Sequence, residues 1–488
     1  MFTKLLFNRN KIENCRTLIN KTDNEEFSTK LALGYSIGQF SDTIAIETFT
    51  FFLFTFYYSV VELNIDLITI GFIIWAIWNA FNDPMLGVIS DKTHSKWGRR
   101  IPYIIIAIGP LCVVTYLLWT PPLGSEVSSF IYFLIIIILF EFFYTMYDLN
   151  YASLFPEMFL EPENRAKANT IKQIMTIFGL IVAFIAPTLF IPKLDDPAYY
   201  LEYRFAGLIM SIIIAIGAII CISTGLKQRE EFSKEYETAL PFLKSLKFSL
   251  KNKSFRKFII ANLAHWYIIG LLPTIVPLFG IHVLNIGEGE SLLLGILLGV
   301  SFVSAAIFMP FWYKISIKFG IRKAFMISMT SFIIVLSPFM FINNKWIAFI
   351  FFFLVGLGLS GSLLYVDLIL AAIIDEDELK TGTRREGGYY GVNALITKLS
   401  TIFVFVSINI VFKSIGWENY VPKFTTQFTI FGLRSLIFIF PSIALIIAII
   451  SIYKFPITKE KYKEIKIKSE ELHKEKREKL GKSLKNQS

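Results

Sequence analysis

The chain has 488 residues, 54% of them hydrophobic, and a formal net charge of +10; its mean hydropathy is +0.58. Average usage in a soluble domain is less apolar and is not strung into long blocks, so composition argues against a water-soluble globular fold. The basic residues fall between the apolar blocks and in the tail, which points to membrane orientation rather than to nucleic acid.

Residues 1–30 are polar and mixed in charge. They lack an apolar core with a cleavage site, so a cytoplasmic segment is expected here and no signal peptide. Apolar runs then follow. Val127 to Tyr147 carries one charge, Glu141, while Gly207 to Leu226 and Ser435 to Tyr453 carry none. Each is close to the roughly 20 residues a helix needs to cross the hydrocarbon core. Continuous runs, rather than period-two alternation, select helices over a barrel. Twelve spans are expected, at 31–59, 66–90, 101–120, 128–156, 166–191, 203–227, 256–284, 290–315, 323–342, 346–374, 387–412 and 429–453.

Charge sidedness agrees with that number. Loops 92–100, 314–323 and 375–386 carry Lys92, Lys96, Arg99, Arg100, Lys314, Lys318, Arg322, Lys323, Lys380, Arg384 and Arg385, while 60–65, 121–127 and 285–289 carry no Lys or Arg. An even number of spans then places both termini on the basic, cytoplasmic side of a multi-pass plasma-membrane protein. The longest internal polar stretch divides the chain into a six-helix bundle at 31–227, a cytoplasmic linker at 228–255 and a second bundle at 256–453, with a basic tail at 454–488. Trp97-Gly98-Arg99-Arg100 and Phe319-Gly320-Ile321-Arg322-Lys323 occupy equivalent loops, a faint repeat that suggests duplicated bundles around a central path. In the linker, Phe242, Leu243, Leu246 and Leu250 share a helical face, with Phe248 off it; a membrane-surface helix is expected. The tail reads as a solvated helix or a disordered segment, and the many aromatics as lipid-facing.

Ionisable groups inside spans cost about 2.5–3.5 kcal/mol each on insertion scales, so they mark a solute or ion path. In the second span Asn79, Asn82 and Asp83 lie three or four residues apart and are expected on one face. Pro84 frees the carbonyl of Ala80. Oxygen donors of this kind suit a small cation, and Asp83 is equally able to carry a proton. Thr145 and Asp148 share a face of the fourth span. Glu47, Glu141, His265 and Asp367 are further intramembrane candidates. Lys398 lies about 17 Å into the eleventh span at roughly 1.5 Å per residue, too deep to snorkel, and calls for Asp83 or Asp148 as counter-charge.

These segments resemble the glycoside–pentoside–hexuronide:cation symporters of the major facilitator superfamily, the melibiose-permease-like family. The matching motifs are Trp78 to Pro84 with Gly87, Asp91, Trp97 to Arg100 and Pro102; Tyr144-Thr145 through Asp148; and Asp375 to Gly387 leading to Asn393 and Lys398. The resemblance implies the all-α major facilitator fold, two pseudo-symmetric six-helix bundles working by alternating access. It implies a cation site at Asp83, Asn79 and Thr145, where Asn79 replaces a second acidic residue, and Asn82 joins that site from the shared helix face. It implies solute contacts at Asp148, Lys172 and Lys398, and at Asp42 or Thr43. The family's sugar-stacking tryptophan is Ala152 here, and an aspartate near the end of the tenth span is Ala372. Gating pairs are expected from Asp91, Arg99, Arg100, Arg384 and Arg385, latching the basic face.

The expected protein is therefore a monomeric symporter of a sugar, glycoside or related organic solute, driven by Na+ or H+. The family's lysolipid carriers offer an amphiphile as the alternative solute, and an exporter, a uniporter or a non-transporting sensor on the same fold are the other readings. No cofactor and no metal beyond a transported Na+ at Asp83 are expected. No nucleophile motif or metal spacing among His94, His265, His282 and His473 suggests an enzyme.

Overall fold

The computed structural model describes residues 27–486 apart from 94, 96, 97, 160, 227–241, 384 and 422–424, and apart from the side chains of 91, 162, 242–245, 386, 387 and 476–486. Expectations for the N-terminal 26 residues, Trp97, Arg384, most of the linker and the side chains of Asp91, Phe242 and Leu243 lie outside this range. Among the described residues the regular elements are helices.

The first bundle holds α1 (Thr29–Thr55), α2 (Ile65–Asp91), α3 (Ile101–Leu117), α4 (Glu126–Met158), α5 (Pro162–Ile185) and α6 (Tyr200–Thr224). A short α7 (Phe242–Lys251) precedes the second bundle: α8 (Lys253–His282), α9 (Ser291–Phe319), α10 (Ile321–Leu336), α11 (Lys345–Thr381), α12 (Glu386–Lys398), α13 (Ser400–Ser414), α14 (Gln427–Ile437) and α15 (Ile439–Tyr453). The tail forms α16 (Lys459–Asn486). Among the described residues, eleven stretches are long and apolar enough to cross a membrane, and α3 is a shorter apolar twelfth. The same packing pairs recur in both halves. α2 packs on α4 and α9 on α11, α3 on α4 and α10 on α11, and α1 on α6 and α8 on α15. Two six-span bundles of one design result.

Polar residues start many of these helices. Asn64, Ser125, Asn252 and Asn344 each accept a hydrogen bond from a first-turn N–H that would otherwise lack a partner. The loop repeat has a backbone cause, since Gly98 and Gly320 both take positive φ, at 93° and 79°. Gly320, with ψ 156°, occupies a region open essentially to glycine alone. A Cβ there would also lie 2.7 Å from Cβ of Lys459 at the start of α16. Gly320→Ala is expected to cost about 1–3 kcal/mol and to loosen the tail. Thermal unfolding in detergent and protease sensitivity of the tail check this; no change in either would refute it.

Two expected spans run continuously, at Gly388–Ser414 and Gln427–Tyr453, but each carries a one-residue irregularity. The eleventh breaks at Leu399, between α12 and α13, where the Leu399 N–H bonds back to Ile396 O at 3.2 Å. The twelfth breaks at Phe438, where Pro441 offers no N–H to the carbonyl of Ile437. α7 departs from expectation as well. Leu250 is 40% exposed, and the anchor is Phe248, packed on Tyr389 and lying 4.1 Å beneath the Arg385 guanidinium. The helix therefore packs on protein through the residue that the sequence pattern set aside. α16 is only half solvated. It buries Ile465 and Ser469 and pairs Lys461 with Glu376 at 2.7 Å and His473 with Glu378 at 3.0 Å.

The bundles are joined at the face opposite the termini. Tyr58 donates to the Trp417 carbonyl at 2.6 Å, and the Ile65 N–H to the Glu418 carbonyl at 2.9 Å. Lys413 pairs with Asp66 at 2.9 Å, and Asn409 bonds Asp66 at 2.8 Å and Thr69 at 3.2 Å. Asp195 of the first bundle accepts from Tyr420 of the second, and His282 stands 2.8 Å from the same hydroxyl. Burial and the adjacent Asp195 carboxylate hold the Tyr420 phenol above its ordinary value, so it stays protonated and donates. Gly295 of α9 closes against the Phe184 carbonyl of α5 so tightly that a Cβ would lie 2.2 Å from that oxygen.

Candidate solute and ion site

Between the bundles lies a cavity of about 420 Å³, lined from α1, α2, α4, α8, α12 and α13. That volume is typical of sites for small organic ligands, which run from about 300 to 1,000 Å³. Its polar centre is a bridge across the two bundles. The Lys398 ammonium donates to the Asn79 amide oxygen and to Asp83 Oδ2. Thr145 Oγ1 lies 3.2 Å from Asp83 Oδ1 and 3.1 Å from Glu141 Oε1. A hydroxyl has one proton, so it donates to one of these carboxylates at a time. Glu141 Oε2 is buried and makes no hydrogen bond.

Lys398 stands at the C-terminal end of α12, next to the break at Leu399. Such an interruption at membrane depth is tolerated where backbone lines a cavity. The lysine and Asp83 side chains remain 26% and 27% exposed. The pair is therefore reachable from the cavity rather than locked in packing.

The predicted site residues separate into two groups. Asn79, Asp83, Thr145, Asp148 and Lys398 line the cavity; Asn82, Asp42, Thr43 and Lys172 are not among its lining residues. Asn82 is turned away and donates to the Glu141 carbonyl at 3.2 Å. A step of one residue on a helix is about 100°, so Asn82 and Asp83 cannot both face the same point. Asp42 is buried and accepts from Gln39 at 2.9 Å. Thr43 is covered by Gly179, where an added Cβ would sit 2.8 Å from the Thr43 Cβ. Lys172 lies over the Phe155 ring at 5.3 Å and within electrostatic reach of Asp42 and Asp148. Asp42, Lys172 and the cavity-lining Asp148 thus lie within electrostatic reach of one another.

The described gating pairs stay within their own bundles. Arg99 and Arg100 meet Glu157 at 2.6 and 3.4 Å, and Arg385 grips Asp377 through two nitrogens at 2.7 and 2.8 Å. These pairs brace each loop against helices of its own bundle. His265 and Asp367 are not among the lining residues either, whereas Glu47 and Glu141 are. The cavity's indoles come from Trp75 and Trp266 rather than position 152. Many aromatics expected at lipid instead stack inside: Phe72 on Phe405 with centroids 3.7 Å apart, and Phe49 on Phe140 at 4.8 Å.

Residues 34–459 match the MFS/sugar transport protein family. The chain belongs to that family. It is 22% identical to the sodium-dependent lysophosphatidylcholine symporter 1 of Gallus gallus, over 94% of this chain and 93% of the relative. It is 23% identical to the isoprimeverose transporter of Lactiplantibacillus pentosus, over 48% of each. Among solved structures it is similar to the nucleoside transporter NupG, with a TM-score of 0.64 and 14% identity over 87% of this chain and 100% of that one; that likeness shows the fold. The protein is thus a multi-pass membrane transporter of the major facilitator type, similar to symporters. Its expected fold class and family stand.

Proposed function

We propose that the chain couples a downhill cation, Na+ or H+, to the movement of a small organic solute across the plasma membrane, with both termini cytoplasmic. The observation that carries this reading is the Lys398 bridge to Asn79 and Asp83 inside the cavity. The ammonium sits where a transported cation would sit. A cation, or a proton on Asp83, competes with it for the same oxygens. Glu141, one hydroxyl away, supplies the second carboxylate that position 79 lacks. Among the described residues its buried Oε2 accepts no hydrogen bond.

Binding at Asp83 releases Lys398 from the first bundle and removes a tie between the two halves. Coupling follows when ion and solute together favour one of the two bundle arrangements. Asp148 faces the same cavity as a hydrogen-bond acceptor for solute. The basic loops support placing the terminal face in the cytoplasm, and the joined face is then the external one.

The relatives carry a sugar in one case and a lysolipid in the other, by their names. The test is uptake into proteoliposomes of labelled sugars, glycosides, uronates and lysolipids, under imposed Na+ or pH gradients. Accumulation above equilibration that collapses with one of the two gradients is expected. Equilibration alone, indifferent to both gradients, would replace symport with uniport.

A further inference from the structure

Glu47 lines the same cavity but stands outside the bridge. Glu47, Thr50 and Phe54 recur at positions i, i+3 and i+7 of α1 and share a face. Phe54 of that stripe contacts Phe405 and Phe412, with centroids 5.9 and 6.0 Å away, so the stripe faces the second bundle. α1 packs there on α8. From α8 the cavity receives Trp266, whose side chain is left 43% exposed. Among the described residues, no hydrogen bond or ion pair reaches the Glu47 carboxylate.

The cavity's charge is lopsided. Glu47, Asp83, Glu141 and Asp148 line it against a single lining base, Lys398, which is already committed to Asp83; Lys172 reaches the Asp148 side from outside the lining. An unpaired carboxylate out of bulk water is costly, by several kcal/mol per ion on general grounds. A ligand cation removes that cost. Aromatic faces attract the same charge through their quadrupoles. An anionic solute meets the opposite situation and is repelled.

We infer that the transported solute carries an ammonium group, seated on the Glu47 carboxylate beside the Trp266 indole, with the remainder of the molecule directed toward Asp148 and the Lys398 bridge. This rests on the transporter reading above and narrows its solute to an organic cation or zwitterion, at the expense of neutral sugars and uronates. A wall of carboxylate, threonine hydroxyl and indole recognises charge and shape; it does not require a pyranose ring.

The test uses the full-length protein in nanodiscs and three probes of matched shape: 2-phenylethylammonium, 2-phenylethanol and 3-phenylpropionate. Binding is read by isothermal titration for wild type, Glu47→Gln and Glu47→Asp. The ammonium probe is expected to bind wild type at least about tenfold more tightly than the alcohol, the scale of one desolvated charge pair, and the carboxylate not at all. Glu47→Gln should remove that preference, and Glu47→Asp should keep part of it, which separates lost charge from misfolding. Equal affinity for ammonium and alcohol, or a preference that survives Glu47→Gln, overturns the inference. On the same preparations, a thermal shift with Na+ or pH that Asp83→Asn abolishes reports the ion site separately. Failure of the probes with that shift intact rejects the ammonium subsite alone; loss of both rejects the symport reading.

Discussion

Lys398→Ala and Asp83→Asn are each expected to abolish ion-driven accumulation, and the double variant is expected to regain stability without regaining accumulation. The reasoning is that of a paired charge. Removing one partner of a buried, hydrogen-bonded pair strands the other, at about 3–5 kcal/mol. Here each side chain keeps roughly a quarter of its surface toward the cavity, which lowers the penalty to the lower end of that range or below. In Lys398→Ala, Asp83 keeps only Thr145 as a donor. In Asp83→Asn, the ammonium keeps only neutral oxygens. Removing both charges strands neither member of the bridge, although Glu141 and Asp148 lose the field of the lysine, so thermal stability returns part of the way toward wild type. The ion site is still gone, so transport becomes passive at best. Thermal unfolding and gradient-driven uptake, run as a double-mutant cycle, separate these contributions. Wild-type accumulation in Lys398→Ala, or ion dependence intact in Asp83→Asn, would remove the bridge from the mechanism.

The second large effect is expected at Gly295, which is not among the cavity's lining residues. A valine there meets the Phe184 carbonyl at well under contact distance, and close-packed interiors do not absorb such overlap by deforming smoothly. The two bundles must part along α5 and α9. Gly295→Val is therefore expected to insert and fold, yet to favour the arrangement in which the joined face is open, with uptake reduced at least about tenfold, the effect of a bias of 1.4 kcal/mol or more. A cysteine at Thr401, which lines the cavity, checks this in a background with the native cysteines replaced. A bulky impermeant maleimide should label it from the outside in Gly295→Val and not in the parent. Equal protection in both would show that the α5–α9 contact does not control access.

Much of this was legible in the sequence, for definable reasons. The spans follow from hydrocarbon thickness, which operates locally. Asn79, Asp83, Thr145 and Lys398 were found because intramembrane polar groups are costly and few. Asn82 went astray because helical neighbours three apart share a face only loosely, and the helix turns it toward the backbone of α4. Asp42, Thr43 and Lys172 were expected at the solute from the family resemblance, and they are not among the cavity's lining residues; position in a motif does not say which way a helix face is turned. Trp75 and Trp266 were invisible for a different reason: apolar residues at a cavity wall and at a lipid surface have one composition. The break at Leu399 carries no proline or glycine, so no punctuation announced it. The closure through Asp195, Tyr420 and His282 joins loops remote in sequence, and no local pattern encodes it.

The break at Leu399 divides the eleventh span into two levers. The outer one, α13, carries Asn409 and Lys413, which hold Asp66 and Thr69. The inner one, α12, ends in Lys398. A continuous helix would force both sets of contacts to loosen together. An interrupted hydrogen-bond ladder lets the lysine swing off Asp83 while the outer contacts stay made. Under the symport proposed above, exchange of the lysine for a transported cation would finish before the joined face unlatches, and a carrier built so would have an ordering of steps that resists leak.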